Sequence, residues 1–261
     1  MDILSIIGIA LGMFAVFGGA LLEGIHLSAI MIPTAALIVF GGTIGAVLLQ
    51  SSSEEVACLK KTLPEIFKPI KVDGPGVAAE IVELSKIARR DGMLALDEKV
   101  KGLDNKFLAK GIALLIDGVA ANEIRNRLEM VLAKKEEEYQ GGARVWEAGG
   151  GYAPTVGILG AVLGLIHVMG NLDDPSKLGP GIAVAFVATV YGVGSANLIC
   201  LPFAGKLKAR MRAGAAAGEI VLEGVCAMAE GQPTSAIEQT LEMMLGDEAG
   251  DGEAKADAEA A

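Results

Sequence analysis

Cysteine is scarce in this 261-residue chain. Cys58, Cys200 and Cys226 stand far apart with no CxxC pair, so the sequence offers neither a zinc-site spacing nor a disulfide framework, and the three read as packing residues. HExxH and GxSxG are both missing. The glycine run GGGYAP, Gly149 to Pro154, is not followed by GK[ST] and leads into an apolar stretch instead of leaving a strand, so it is not read as a phosphate loop. No catalytic constellation, cofactor site or metal site is expected, and the chain does not read as an enzyme. The N-terminus has Asp2 in place of a basic n-region, so the first apolar run is expected to stay attached as a span.

Charge is missing from four long stretches. Ile3 to Leu22, Ala29 to Leu49, Gly150 to Gly170 and Gly181 to Ala204 contain no Asp, Glu, Lys or Arg. A helix needs about 20 largely apolar residues to cross the roughly 30 Å hydrocarbon core, and the mean hydropathy of +0.50 fits such runs. The expected fold is therefore an all-α integral membrane protein with four transmembrane helices. A proton or cation path normally carries an ionisable residue facing its lumen. The spans provide no carboxylate, so either no ion moves here or a partner helix supplies the acid. His167 is the only side chain within a span that titrates near neutrality, and it reads either as a relay near the mouth of a path or as an interfacial histidine.

No nucleic acid partner is expected; the net charge of −10 would argue against one in a soluble protein, but in a membrane protein the distribution of charge says more than the sum. Of the 22 Lys and Arg, sixteen lie between Ser51 and Ala148, five follow Ala204, and Lys177 stands alone. The positive-inside rule then places the middle segment, the C-terminal segment and both termini in the cytoplasm, leaving Glu23 to Ser28 and Asn171 to Pro180 outside. The expected organisation is two spans with a short outer loop (1–50), a helical cytoplasmic domain (51–148), two more spans (149–204), cytoplasmic C-terminal helices (205–245) and a disordered acidic tail (246–261).

The cytoplasmic domain shows helical periodicity. Val56, Leu59, Leu63 and Ile66 mark one helix, with Pro64 and Pro69 bending or ending it; Ile81, Leu84 and Ala88 mark a second that stops at Gly92. Phe107, Ile112 and Leu115 mark a third, and Ile124, Leu128, Val131 and Leu132 a fourth that runs into the solvated charges of Lys134 to Glu138. After Ala204 a helix is expected to about Glu230, a break at GQPTS, and a last helix opened by a capping box at Ser235 and Glu238.

Within the spans, Gly8 and Gly12, Gly41 and Gly45, Gly160 and Gly164, and the pair Gly192 and Ala196 give every span a surface for close helix approach. Pro154 and Pro202 each free a backbone carbonyl, and act as hinges or fix helix direction. The hydroxyls of Thr189 and Ser195 either bond back to their own helix or face a lumen.

The motifs ARRDGMLALDE, FLAKGIALLIDG, GGYAPTVGILGAVLGLIHVMG and AFVATVYGVGSANLICLPFAGKL, in this order around one large cytoplasmic loop, resemble the flagellar motor stator subunits of the MotA type in the MotA/TolQ/ExbB proton channel family. The resemblance covers nearly the whole chain apart from the acidic tail. It implies a pentamer of this chain in the bacterial inner membrane. That pentamer would surround two helices of a MotB-type partner that carries the ion-binding Asp, turn as ions pass and push on the rotor protein FliG. The family's basic-then-acidic rotor-facing pair falls on Arg89 and Asp97, with Arg90 and Glu98 adjoining, and Asp97 stands where glutamate is usual. Its two functional prolines fall on Pro154 and Pro202. Sodium-type relatives carry threonine at the position of Ala161, whereas alanine there and the sequence around His167 are the proton-type pattern; Thr189 matches a threonine found in the family's ion path. The resemblance therefore implies proton flow. The alternatives are an energiser of the ExbB or TolQ kind, which typically has three spans, and a membrane scaffold that does not conduct.

Overall fold

A computed structural model describes residues 2–70 and 73–246. Among the described residues there are only helices and turns: α1 (Ile3–Leu22), α2 (Leu27–Ile30), α3 (Pro33–Gln50), α4 (Ser53–Ile66), α5 (Gly74–Asp91), α6 (Leu96–Val100), α7 (Lys106–Ile116), α8 (Ala121–Met169), α9 (Pro175–Ala229) and α10 (Thr234–Leu245). Four of these, α1, α3, α8 and α9, are long and apolar enough to cross a membrane. The acidic segment 247–261 lies outside the described residues.

Several sequence expectations shift. The second span begins at Pro33, not Ala29: Ile32 is extended (φ −108°, ψ 107°), as a residue before proline prefers, and Pro33 needs no N–H in the first turn. The fourth cytoplasmic helix and the third span are one helix of 49 residues, α8. The boundary drawn at 148/149 thus falls inside it. A triple glycine lowers helix propensity but cannot stop a helix whose backbone bonds have no competing partner in lipid. Likewise the fourth span and the helix after Ala204 are one element, α9. Val131 is exposed, whereas Ile124 and Leu128 are buried. The expected capping box at Ser235 and Glu238 is absent, because Pro233 occupies the N-cap position with ψ 142° and α10 starts at Thr234. A capping box forms instead at Ser52, whose Oγ accepts from the Glu55 N–H while the Ser52 N–H donates to Glu55 Oε2.

The described residues divide into two compact units: 2–70 with Glu137–Arg210, and 73–136 with 211–246. In the first, α8 and α9 approach along small residues. A Cβ on Gly192 would lie 2.5 Å from the Ala153 carbonyl oxygen and 3.0 Å from Gly157 Cα; one on Gly160 would lie 2.7 Å from Ala188 Cβ; one on Gly164 would lie 2.8 Å from the Gly181 carbonyl oxygen. Only glycine permits such contact, which gives tight van der Waals packing where lipid supplies no hydrophobic drive. Helix α3 joins them through Ala35 and Val39, buried against Val187 and Ala188. Tyr191 supports this layer, donating its hydroxyl to the Ile30 carbonyl at 2.5 Å and stacking on Phe40.

Helix α4 lies on the part of α8 that carries Gly141 and Gly142, where added Cβ atoms would press on Cys58 and Thr62. Ion pairs bracket this contact: Lys61 to Glu138 at 2.8 Å and Arg144 to Glu55 at 3.1 Å. Nearby, Lys208 pairs with Glu147 at 2.5 Å, Lys206 with Asp2, and Arg210 with Glu65 at 3.5 Å. Three of the four basic residues that follow the fourth span, Lys206, Lys208 and Arg210, are therefore matched by carboxylates. Helix α1 buries none of its residues; Phe14 is 75% exposed. An apolar face this continuous requires lipid or another chain to cover it.

The second unit has its own core, built from Ile81, Leu84, Leu96, Leu108, Ile112, Ile124, Leu128, Val221, Val225, Ile237 and Leu241. Each such side chain contributes about 1.5–3 kcal/mol on burial. Helix starts are set locally. Asp73 accepts from the Gly76 N–H at 2.8 Å, and Asn105 Oδ1 accepts from the Phe107 and Leu108 N–H groups at 3.0 and 3.2 Å. The expected glycine stop of α5 forms at Gly92, with φ +89°.

Candidate functional site

Two groups of residues carry the functional expectations, one in each unit. In the membrane unit, Gly160 and Ala188 make one of the closest contacts of α8 with α9. Ala161 and Thr189 each follow one of these residues directly, which brings the two ion-path candidates to one depth. Both are half-buried. The Thr189 hydroxyl donates to the Ala185 carbonyl at 3.2 Å and that of Ser195 to Gly192 at 3.2 Å. Of the two readings of these hydroxyls, bonding back to their own helix is the one observed, and each oxygen keeps lone pairs to offer.

Pro154 lies within α8 and leaves the Gly150 carbonyl without its usual donor. Pro202 lies within α9, two residues after a wide turn of π type at Ala196–Cys200, where the Leu201 N–H reaches back five residues to the Ala196 carbonyl. Such single wide turns let a helix absorb an extra residue and recur at functional sites. Gly150 packs on Leu201 and Cys200, so the two proline-interrupted segments meet in the middle of α8 and α9, where their apolar spans give way to the segments that carry the basic residues. A second wide turn sits in α3 at Leu37–Gly41, packed on the Val187 and Ala188 layer. Pro202 also lines an open groove of about 370 Å³ with Leu4, Gly8, Asn197 and Lys206. His167 is exposed, and its carbonyl accepts from the Asn171 side chain at 2.8 Å.

In the second unit Arg89, Arg90, Asp97 and Glu98 are all exposed and flank one reversal of the chain. The basic pair ends α5, where cations favour the helix dipole. The acidic pair opens α6. Among the described residues the arginines do not pair with Asp97 or Glu98. Arg89 donates to the Gly231 carbonyl at 3.1 Å, Arg90 bonds Asp91 at 2.8 Å, and Asp97 bonds Lys101 at 2.9 Å. The Arg90 hydrogen bond lowers the Asp91 carboxyl below its usual range, and the hydrogen bond to Asp97 raises the Lys101 ammonium. The second unit also holds an open cavity of about 1060 Å³ lined by Glu80, Glu83, Asp104, Lys106, Lys110 and Lys135. Burial first, then the charges of Asp104 and Glu83, push Glu80 above the usual carboxylate range.

Sequence reasoning missed three contributors to these sites. Ala153 and Gly157 belong to the glycine seam, and their spacing of four from each other and from Ala161 was the available signal. Gly141 and Gly142 seat α4. The wide turns at Leu37–Gly41 and Ala196–Cys200 carry no sequence signature beyond the following Pro202.

Residues 6–90 match the family model described as Motility protein A N-terminal, and residues 99–219 match the MotA/TolQ/ExbB proton channel family. The chain is 36% identical to Motility protein A of Bacillus subtilis over 250 residues, 94% of this chain and 91% of the relative. It is 34% identical to the Chemotaxis protein PomA of Vibrio alginolyticus over 246 residues, 94% and 96% of the two chains. The fold resembles a chain of the C. jejuni MotAB structure (TM-score 0.85, 32% identity) and one of the flagellar MotAB stator complex of B. subtilis (TM-score 0.83, 36% identity); each comparison covers 94% of this chain and 96% of the other. Both family matches and the full-length relatives agree: the chain belongs to the MotA/TolQ/ExbB proton channel family, within its motility protein A group.

Proposed function

We propose that the chain is the membrane subunit of a flagellar motor stator, which with a MotB-type partner conducts ions and converts their flow into torque on the rotor. The observation that carries this reading is a contrast within the membrane unit. The spans pack closely and hold no Asp, Glu, Lys or Arg of their own, so the titrating carboxylate of an ion path comes from a partner helix. A ring of five copies around two partner helices satisfies that requirement and covers the apolar face of α1 or its neighbours.

Ion choice follows from the lining. Ala161 offers no hydroxyl at the depth of Thr189, which removes one potential ligand for a partly dehydrated Na⁺ and favours protons. Pro154 and Pro202 act as the points where span movement passes toward the cytoplasmic helices. Arg89, Arg90, Asp97 and Glu98 form the face that meets the rotor protein FliG, and His167 is at most an accessory at the outer mouth. One charge crossing about 100 mV releases roughly 2.3 kcal/mol, enough to bias two packings of a seam but not to remake the fold. The inner bacterial membrane is the expected location, with both termini, residues 51–148 and residues 205–245 cytoplasmic, as supported by the matched basic residues after the fourth span. A stator subunit of this kind performs no covalent chemistry of its own.

The test is swimming in a strain that lacks its own stator, expressing this chain with a single-span MotB-type partner. Restored swimming that is independent of external sodium at fixed proton-motive force is expected. Correct delivery to the motor without rotation under any ion gradient would overturn the conducting role, and a steep rise with sodium would overturn the ion choice.

A further inference from the structure

Between the two charged pairs of the rotor-facing site stands an apolar side chain that those charges do not explain. Leu94 is 80% exposed and Met93 beside it is exposed, on the 3₁₀ turn Met93–Ala95 that links α5 to α6. The turn is tightly made. Gly92 reverses the chain at φ +89°, and the Ala95 N–H donates to the Gly92 carbonyl at 3.1 Å. Ala88 and Leu96, on either side, are buried in the core. Leu94 is thus held outward by an ordered turn pinned at both ends, in a unit whose other described leucines are buried or half-buried.

The surrounding charges are largely neutralised within the chain. Arg90 is bonded to Asp91, Asp97 to Lys101, and Arg89 to a carbonyl. Across Arg89, Arg90, Asp91, Asp97, Glu98, Lys99 and Lys101 the four cations and three carboxylates leave a net charge of +1. Charges of that kind orient an encounter and quicken it, but paired and exposed they add little affinity. A protein interface has the opposite distribution of energy: an apolar anchor at the centre and a polar rim.

We propose that Leu94 is the apolar anchor of the rotor contact. It inserts into an apolar pocket on the rotor protein whose rim presents a carboxylate to the Arg89 and Arg90 side and a cation to the Asp97 and Glu98 side. The proposal rests on the rotor-facing reading of those four residues. Under it the charges set orientation and encounter rate, and Leu94 sets the lifetime of the engaged stator.

The experiment uses the full stator, fluorescently tagged and co-expressed with its partner in the stator-less strain, comparing the parent with Leu94→Ala, Leu94→Met and Asp97→Asn. Dwell time at single motors is read by fluorescence recovery, with membrane level read by immunoblot. Leu94→Ala is expected to shorten the dwell about tenfold or more at unchanged membrane level, and Leu94→Met to stay within about threefold of the parent. Asp97→Asn is expected to slow recruitment more than it shortens dwell. A Leu94→Ala dwell within twofold of the parent, or a Leu94→Met dwell as short as that of Leu94→Ala, would overturn the anchor while leaving the torque reading intact. A parent that swims yet engages with Asp97→Asn and Leu94→Ala both silent would remove the rotor-facing assignment itself.

Discussion

Substituting Gly192 by alanine tests the packing on which the membrane unit depends. The new Cβ would stand 2.5 Å from the Ala153 carbonyl oxygen and 3.0 Å from Gly157 Cα. Both obstacles are backbone, so neither can swing aside; α8 and α9 must separate by several tenths of an ångström, and the neighbouring contacts of Gly160 and Gly164 loosen with them. Overpacking of this kind costs about 1–3 kcal/mol. The exchange of glycine for alanine also gains about 1 kcal/mol of helix propensity, which would mask part of the loss. Gly45→Ala provides the reference, because a Cβ at Gly45 meets nothing within 4 Å in the chain while the propensity gain is the same. The difference between the two variants therefore isolates the clash. Thermal unfolding of the purified complex in nanodiscs, followed by size-exclusion recovery after heating, should place Gly192→Ala about 1–3 kcal/mol below Gly45→Ala, a factor of roughly 5 to 150 in the folded-to-unfolded ratio. Equal stability would refute the direct backbone contact at the seam. A double variant with Gly157→Ala should cost less than the sum, since the two glycines share one contact.

Ser52→Ala removes the capping box of α4 and should cost about 1 kcal/mol, visible as faster amide exchange at Glu55 and Val56 with no change in the second unit. Glu80 titrates above its ordinary range because of burial and the charges of Asp104 and Glu83. The folded state therefore holds this proton more tightly than the unfolded one, and stability falls as pH rises from the ordinary carboxylate range through the raised value. Glu80→Gln should lift the unfolding midpoint at neutral pH and flatten its decline as pH rises above the ordinary carboxylate range; an unchanged profile would contradict the assignment. Ala161→Thr restores a hydroxyl at the depth of Thr189, and swimming speed should then begin to respond to external sodium; continued indifference to sodium would separate residue 161 from ion choice.

Much of the architecture is legible in residue order because the physics acting on it is local. The absence of charge over twenty-residue stretches marks the spans, and α1 begins and ends where its apolar run does. The same locality explains the α5 stop at Gly92, which needs a positive φ, and the core positions Ile81, Leu84, Ile112 and Leu115. What could not be read depends on partners distant in sequence. Residues Gly149 to Gly151 look like a break, yet α8 runs straight through them because lipid and the neighbouring Leu201 leave the backbone no better alternative. The capping signal at Ser235 and Glu238 loses to Pro233, two residues earlier, while the equally regular Ser52 and Glu55 succeeds. GxxxG in three spans and the small pair Gly192 and Ala196 in the fourth could not say which glycines pack inside the subunit: Gly160, Gly164 and Gly192 do, whereas Gly8 and Gly45 face open space. The charged pairs at Arg89 and Asp97 could be placed on a surface turn, but their bonds to Gly231 and Lys101, and the exposed Leu94 between them, emerge only when the turn is folded.

The central claim is that this chain turns ion flow into rotation, and a bead assay on single motors tests it most directly. In a strain without its own stator, inducing this chain with its partner should raise the bead's rotation speed in discrete equal steps as units join. A protonophore should collapse the speed, while replacing external sodium with potassium should leave it unchanged. Steps that vanish with sodium would contradict the proton assignment, and stators that accumulate at the motor with no step in speed would contradict the claim as a whole.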